Sequence, residues 1–93
     1  MSERLSFEYD DQKRIKNLAK HGIAFEDAIL VFENPVLEFA SPREGEERFI
    51  AIGPLGGVFI AVIFTMRGEV RRIISARRAR RGEIGKYHEA YAL

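Results

Sequence analysis

The sequence has 93 residues, is 46% hydrophobic, contains no cysteine and carries a net charge of +1. That length suits one domain with one modest core, and the hydrophobic fraction excludes a disordered chain. The lack of cysteine excludes disulfides and thiolate metal sites, so no oxidising compartment is required. Residues 1–5 are charged and show no apolar signal-peptide stretch. The longest apolar run, residues 58–64, is too short to cross a bilayer. A cytoplasmic protein without a membrane segment is expected. The small net charge hides an asymmetry: residues 1–66 sum to −4 and residues 67–93 to +5. The second part holds Arg67, Arg71, Arg72, Arg77, Arg78, Arg80 and Arg81. Charge gathered in this way points to a polyanion or an acidic protein partner.

In chain order, Phe7-Glu8-Tyr9 alternates and predicts a first strand. Asp10 or Asp11 can cap the helix that follows, because a carboxylate accepts from the free N–H groups of a first turn. That helix carries Ile15, Leu18 and Ala19 on one apolar face, with Lys16 and Lys20 on its flank, and Gly22 ends it. A second helix is predicted over residues 25–32, with Ala28, Ile29 and Phe32 as its apolar stripe. Asn34-Pro35 stops it, and residues 36–39 read as a strand. Residues 41–47 are polar, contain Pro42 and Gly45, and read as a loop.

Three strands are predicted next, over residues 48–52, 58–65 and 69–77, joined by turns at 54–57 and 67–68. Short turns favour an antiparallel meander, and the apolar middle strand suits the sheet centre. A last helix over residues 80–91 offers Ile84, Tyr87 and Tyr91 to the core, although Gly82 and Gly85 weaken its start. Strands grouped beside helices indicate an α+β fold, with the whole of residues 1–93 as a single domain.

The last strand is the richest in chemistry. Alternation puts Arg71, Ile73, Ser75 and Arg77 on one face. A guanidinium at a strand end can hold a phosphate through two hydrogen bonds, although a solvated basic surface gives the same pattern. His21 closes the first helix, where a cationic imidazole is favourable by itself, and it is equally suited to proton transfer because histidine titrates near neutrality. Glu46, Glu47 and Arg48 form either a surface ion-pair cluster or the mouth of a sheet cleft. Two histidines without cysteine make a weak metal case, so neither a metal nor a cofactor is expected.

Several segments together resemble the BrnT family of bacterial toxins. They are Phe7-Glu8-Tyr9-Asp10, Asn17-Leu18-Ala19-Lys20-His21-Gly22, Phe25-Glu26-Asp27-Ala28 with Val31-Phe32, residues 46–53, and residues 72–79. The resemblance implies a RelE-like fold, a small antiparallel sheet with helices on one side. It implies an endoribonuclease of the mRNA-interferase kind that blocks translation, and the lack of a credible ligand set adds the expectation that it acts without metal. Its implied partners are RNA and a BrnA-type antitoxin with a ribbon-helix-helix part, operator DNA being reached only through the antitoxin. A homodimer or a heterotetramer with the antitoxin would both fit.

Carried over by position, the resemblance marks His21, Glu47, Arg48, Arg77 and Arg78. The chemistry of metal-free RNA cleavage assigns Arg48 and Arg77 to the phosphoryl charge and His21, Glu47 or Tyr87 to proton movement. Lys20, Arg78, Arg80 and Arg81 are assigned to the RNA backbone. An acidic or amphipathic antitoxin segment is expected over the face carrying Arg77 and Arg78. The alternative is a non-catalytic module that binds nucleic acid or an antitoxin through the same arginines.

Overall fold

The computed structural model describes residues 5–91, so the charged opening at residues 1–4 lies outside the described residues. Of the two candidate caps, Asp10 is the one used. Its carboxylate accepts from the N–H groups of Gln12 at 2.7 Å and Lys13 at 3.3 Å, and helix α1 runs Asp11–His21. Asp11 instead pairs with Arg14 one turn on, at 2.7 Å. Gly22 ends the helix at φ 70°, with its N–H on the Leu18 carbonyl.

The second helix is shorter than its apolar stripe suggests. An α-helix, α2, covers only Phe25–Ala28, and the chain then tightens into a 3₁₀ turn, Ile29–Glu33. The switch brings Phe25, Ala28 and Val31 to full burial, a three-residue repeat that suits 3₁₀ geometry.

Five strands follow the predicted order: β1 (Ser6–Tyr9), β2 (Leu37–Ala40), β3 (Phe49–Leu55), β4 (Val58–Arg67) and β5 (Val70–Arg78). In space they lie β1-β5-β4-β3-β2, with the apolar β4 at the centre. Strands β2 to β5 pair antiparallel, and β1 pairs parallel with β5. The β3–β4 turn is tighter than predicted: β3 runs on through Pro54, and Gly56 and Gly57 alone turn the chain at φ 57° and 86°.

The main core lies between the sheet and α2 with its 3₁₀ extension, where Phe25, Ala28 and Val31 meet Ala51, Ile60, Val62, Phe64, Ile73 and Ala76. Helix α3 (Arg81–Ala90) lies on the other face. Its Tyr87 ring packs 5.0 Å from Phe59, the neighbour of the core residue Ile60, and adjacent strand residues face opposite ways. The sheet is therefore covered on both faces rather than on one. Tyr87 and Tyr91 tie α3 down through hydroxyl donation to the carbonyls of Pro35 and Val36, and Tyr91 stays exposed instead of entering a core.

Helix α1 is inverted. Ile15 and Leu18 are 54% and 46% exposed, Ala19 is exposed, and the residue turned to the sheet is Asn17, at 6%. No helix among the described residues is long and apolar enough to cross a membrane.

Candidate functional site

The site is organised around an irregularity in β5. Ile63 of β4 pairs with Ser75 and the next residue, Phe64, pairs with Ile73, so Ile74 is an extra residue in β5. Such a bulge re-aims the side chains beyond it. Ile73 and Ala76 are both buried, three residues apart, where strict alternation would have turned one of them outward. Arg71 and Arg77 consequently point to opposite faces, against the expectation that they share one. Arg77 and Arg78, adjacent beyond the bulge, also face opposite ways, Arg77 lining one cleft and Arg78 another hollow.

Asn17 fixes the bulge to α1. Its side-chain amide donates to the carbonyls of Ile23 and Ala76, both at 2.9 Å, and its oxygen accepts from the Ala76 N–H at 3.1 Å and the Ser75 hydroxyl at 3.2 Å. These four bonds satisfy a buried amide in full. Asn17 has no expected role in the sequence beyond its place in the Asn17–Gly22 segment. The one signal available was a polar residue on the opposite side of the helix from Ile15, Leu18 and Ala19.

Two clefts meet at Ile74 and Ser75. The first, about 320 Å³, is lined on its α1 side by Lys13, Lys16, Asn17, Lys20 and His21. The second, about 280 Å³, has Ile50 and Ile63 in its wall and Ser41, Arg43, Arg48, Arg77 and Arg80 around it. A turn at Arg43–Glu46 carries Arg43, and Arg48 follows two residues after it. Glu44 and Gly45 sit at φ 51° and 77°, and the backbones of Arg43 and Glu46 bond to each other on either side. Arg48 touches Glu46 at 3.2 Å, and its Nε is buried without a hydrogen-bond partner among the described residues.

Arg77 is not a free cation. Its two terminal nitrogens reach the two oxygens of Glu83 at 2.8 and 2.9 Å, and both side chains are largely buried, at 17% and 13% exposed. Glu83 also accepts from the Arg80 N–H at 2.7 Å, which seals the first turn of α3. The Arg77 hydrogen bonds hold the Glu83 carboxyl below its ordinary range against the opposing effect of burial, with the Arg80 N–H adding to the lowering. Arg77 is in turn held more firmly in its charged form, chiefly by the same bonds.

The other predicted residues are spread more widely. Lys20 and His21 line the first cleft, and Arg48, Arg77 and Arg80 the second. Arg78 shares a third hollow with the other side of His21. Arg81 is exposed on α3. Glu47 is exposed and lines none of the three, and its carbonyl accepts from the Thr65 hydroxyl. Tyr87 also lies outside them, because α3 packs across β2 and β3 and delivers its hydroxyl to Pro35. Upstream, Arg67 and Arg72 pair with Glu8, and Arg71 spans the Phe32 and Phe64 rings to reach Glu38. Among the described residues, Arg43, Arg78, Arg80 and Arg81 form no ion pair with another described side chain, and no three His, Asp or Glu side chains are grouped to hold a metal.

Fold and site together define a small α+β protein with paired cationic clefts that suit a phosphate backbone. The sequence matches, over residues 9–83, the family described as ribonuclease toxin, BrnT, of type II toxin–antitoxin system. The chain is also similar to the Brucella abortus ribonuclease toxin BrnT, known from a crystal structure, with 32% identity and a TM-score of 0.63 over 84% of this chain and 100% of that one. No curated protein sequence matches it. The chain belongs to the BrnT family of ribonuclease toxins.

Proposed function

We propose that this chain is a cytoplasmic, metal-independent endoribonuclease of the mRNA-interferase type that stops translation, acts as one domain over residues 1–93, and is neutralised by a BrnA-type ribbon-helix-helix antitoxin. The observation that carries the cleavage reading is the junction at Ile74 and Ser75, where the cleft holding His21 and three lysines adjoins the cleft holding Arg48 and Arg77. An RNA strand laid across this junction meets lysines on one side and guanidinium groups on the other.

In the proposed reaction the 2′-oxygen attacks the adjacent phosphorus and the bond to the 5′-oxygen breaks, leaving a cyclic phosphate and a 5′-hydroxyl. His21, on the α1 side, takes the proton from the 2′-hydroxyl and passes it to the departing 5′-oxygen. Arg48, whose Nε lacks a hydrogen-bond partner among the described residues, holds the charge on the phosphoryl oxygens together with Arg43 and Arg80. Arg77, clasped by Glu83, sets the shape and potential of the wall. Lys13, Lys16 and Lys20 hold the flanking backbone. Glu47 and Tyr87 have no part in this scheme.

The test is single-turnover cleavage of a mixed-sequence RNA in excess EDTA. His21→Ala and Arg48→Ala are each expected to lose about a hundred- to thousandfold in rate while retaining their melting transitions. RNA bound but uncut by the wild-type chain would overturn the enzymatic reading in favour of a binding module. Activity abolished by EDTA and restored by a divalent ion would overturn metal independence.

A further inference from the structure

Helix α1 turns its polar side inward and its apolar side to solvent. Asn17 is spent on the sheet, while Ile15, Leu18 and Ala19 form an outward arc at helical spacing. An amphipathic helix at a protein surface ordinarily does the reverse. A single exposed leucine needs no explanation, but three apolar residues on one arc of an 11-residue helix mark a surface that is covered in the working assembly.

We infer that this arc is the seat of the antitoxin, which places there an amphipathic helix with apolar side chains at i, i+3, i+4 and i+7 and carboxylates along one edge. The inference rests on membership of a type II family, whose toxins have a protein antitoxin, and not on the nuclease mechanism. Two observations fix the chemistry of the occupant. Lys16 and Lys20 edge the arc, with Lys13 on the same flank, so a partner bearing carboxylates on that side is drawn in. A second copy of this chain, docked helix to helix, would instead bring lysine edges together and is disfavoured by repulsion. Those same lysines line the first cleft, so a helix seated on the arc with its carboxylates on Lys16 and Lys20 also closes the path for RNA. Neutralisation then follows from competition for the lysines, without any contact to Arg77.

The experiment uses the full chain and its cognate antitoxin, with affinity measured calorimetrically in the absence of RNA. Failure of the nuclease reading would therefore leave the result intact. Ile15→Lys with Leu18→Lys is expected to weaken antitoxin binding by about a hundredfold or more, since apolar anchors at the centre of an interface carry most of its energy. The same change at Leu30, another exposed leucine outside α1, is expected to leave affinity within about threefold. Both variants should melt as the wild type does, because all three side chains are already exposed. Unchanged affinity in the double variant overturns the proposal. So does a wild-type chain that sediments as a dimer and becomes monomeric in the double variant, since the occupant would then be a second copy.

Discussion

Arg77 and Glu83 meet through two parallel hydrogen bonds of 2.8 and 2.9 Å, joining the last part of β5 to the first turn of α3. Six residues apart in sequence, they clasp the sheet to the helix on its second face, alongside the Tyr87 and Tyr91 hydroxyls on the Pro35 and Val36 carbonyls. The arginine that looked most like a catalytic cation is therefore half of a structural clasp. Arg77→Ala and Glu83→Ala should each lower stability by about 2–3 kcal/mol, because each leaves a largely buried charge without its partner. Chemical denaturation measures this. If Arg77→Ala abolishes cleavage with no loss of stability, the clasp is not its main role.

The same pair predicts an acid response. The folded-state value for Glu83 lies below its unfolded one, so the carboxylate stabilises the fold in full above about pH 4.3. That contribution is lost as pH falls through the lowered folded value. Glu83→Gln should therefore be less stable than wild type near neutrality, with the gap narrowing below about pH 4. Melting curves across pH 2–7 check this, and a gap that widens on acidification would refute it.

Asn17→Ala is expected to cost about 2–4 kcal/mol. It strips partners from the Ala76 backbone, which is buried, and leaves a void between α1 and β5. Cleavage should fall as well, because the walls of both clefts hang on the bulge that Asn17 fixes. A variant of unchanged stability would mean that water replaces the amide.

Two glycines should respond in opposite ways. A Cβ on Gly53 would stand 2.7 Å from Val31 Cγ1, in the core, so Gly53→Ala is expected to cost about 1–3 kcal/mol. Gly85 lies on an exposed side of α3 with open space around it, so Gly85→Ala should gain about 0.5–1 kcal/mol. Thermal melts of the two variants give the signs.

Arg71→Ala should separate stability from chemistry. Its guanidinium sits 5.5 Å from the Phe32 and Phe64 ring centres and 3.5 Å from Glu38, far from both clefts in the register of β5. A loss of about 1–2 kcal/mol with an unchanged single-turnover rate is expected. Lys16→Ala should do the converse, leaving stability alone and lowering the salt dependence of RNA binding by about 0.7 in the log–log slope.

Local chemistry determined the elements and their order. A carboxylate at position 10, a glycine at 22, the Gly56-Gly57 pair and the apolar run of β4 each act over a few residues, so they are legible in the sequence. The family was legible too, from ordered short segments. What the sequence did not show depends on partners far along the chain. The bulge at Ile74 exists because β5 must pair with β4 while Asn17, 59 residues away from Ala76, holds its backbone. That one extra residue separates Arg71 from Arg77 and decides which arginines share a cleft. The inversion of α1 has the same origin: hydrophobic periodicity shows that a helix has two sides, but only the packing against β5 selects the one that faces inward. Tyr87 likewise follows α3 to the second face of the sheet, because sheet coverage is settled by which apolar surface the other helices leave open.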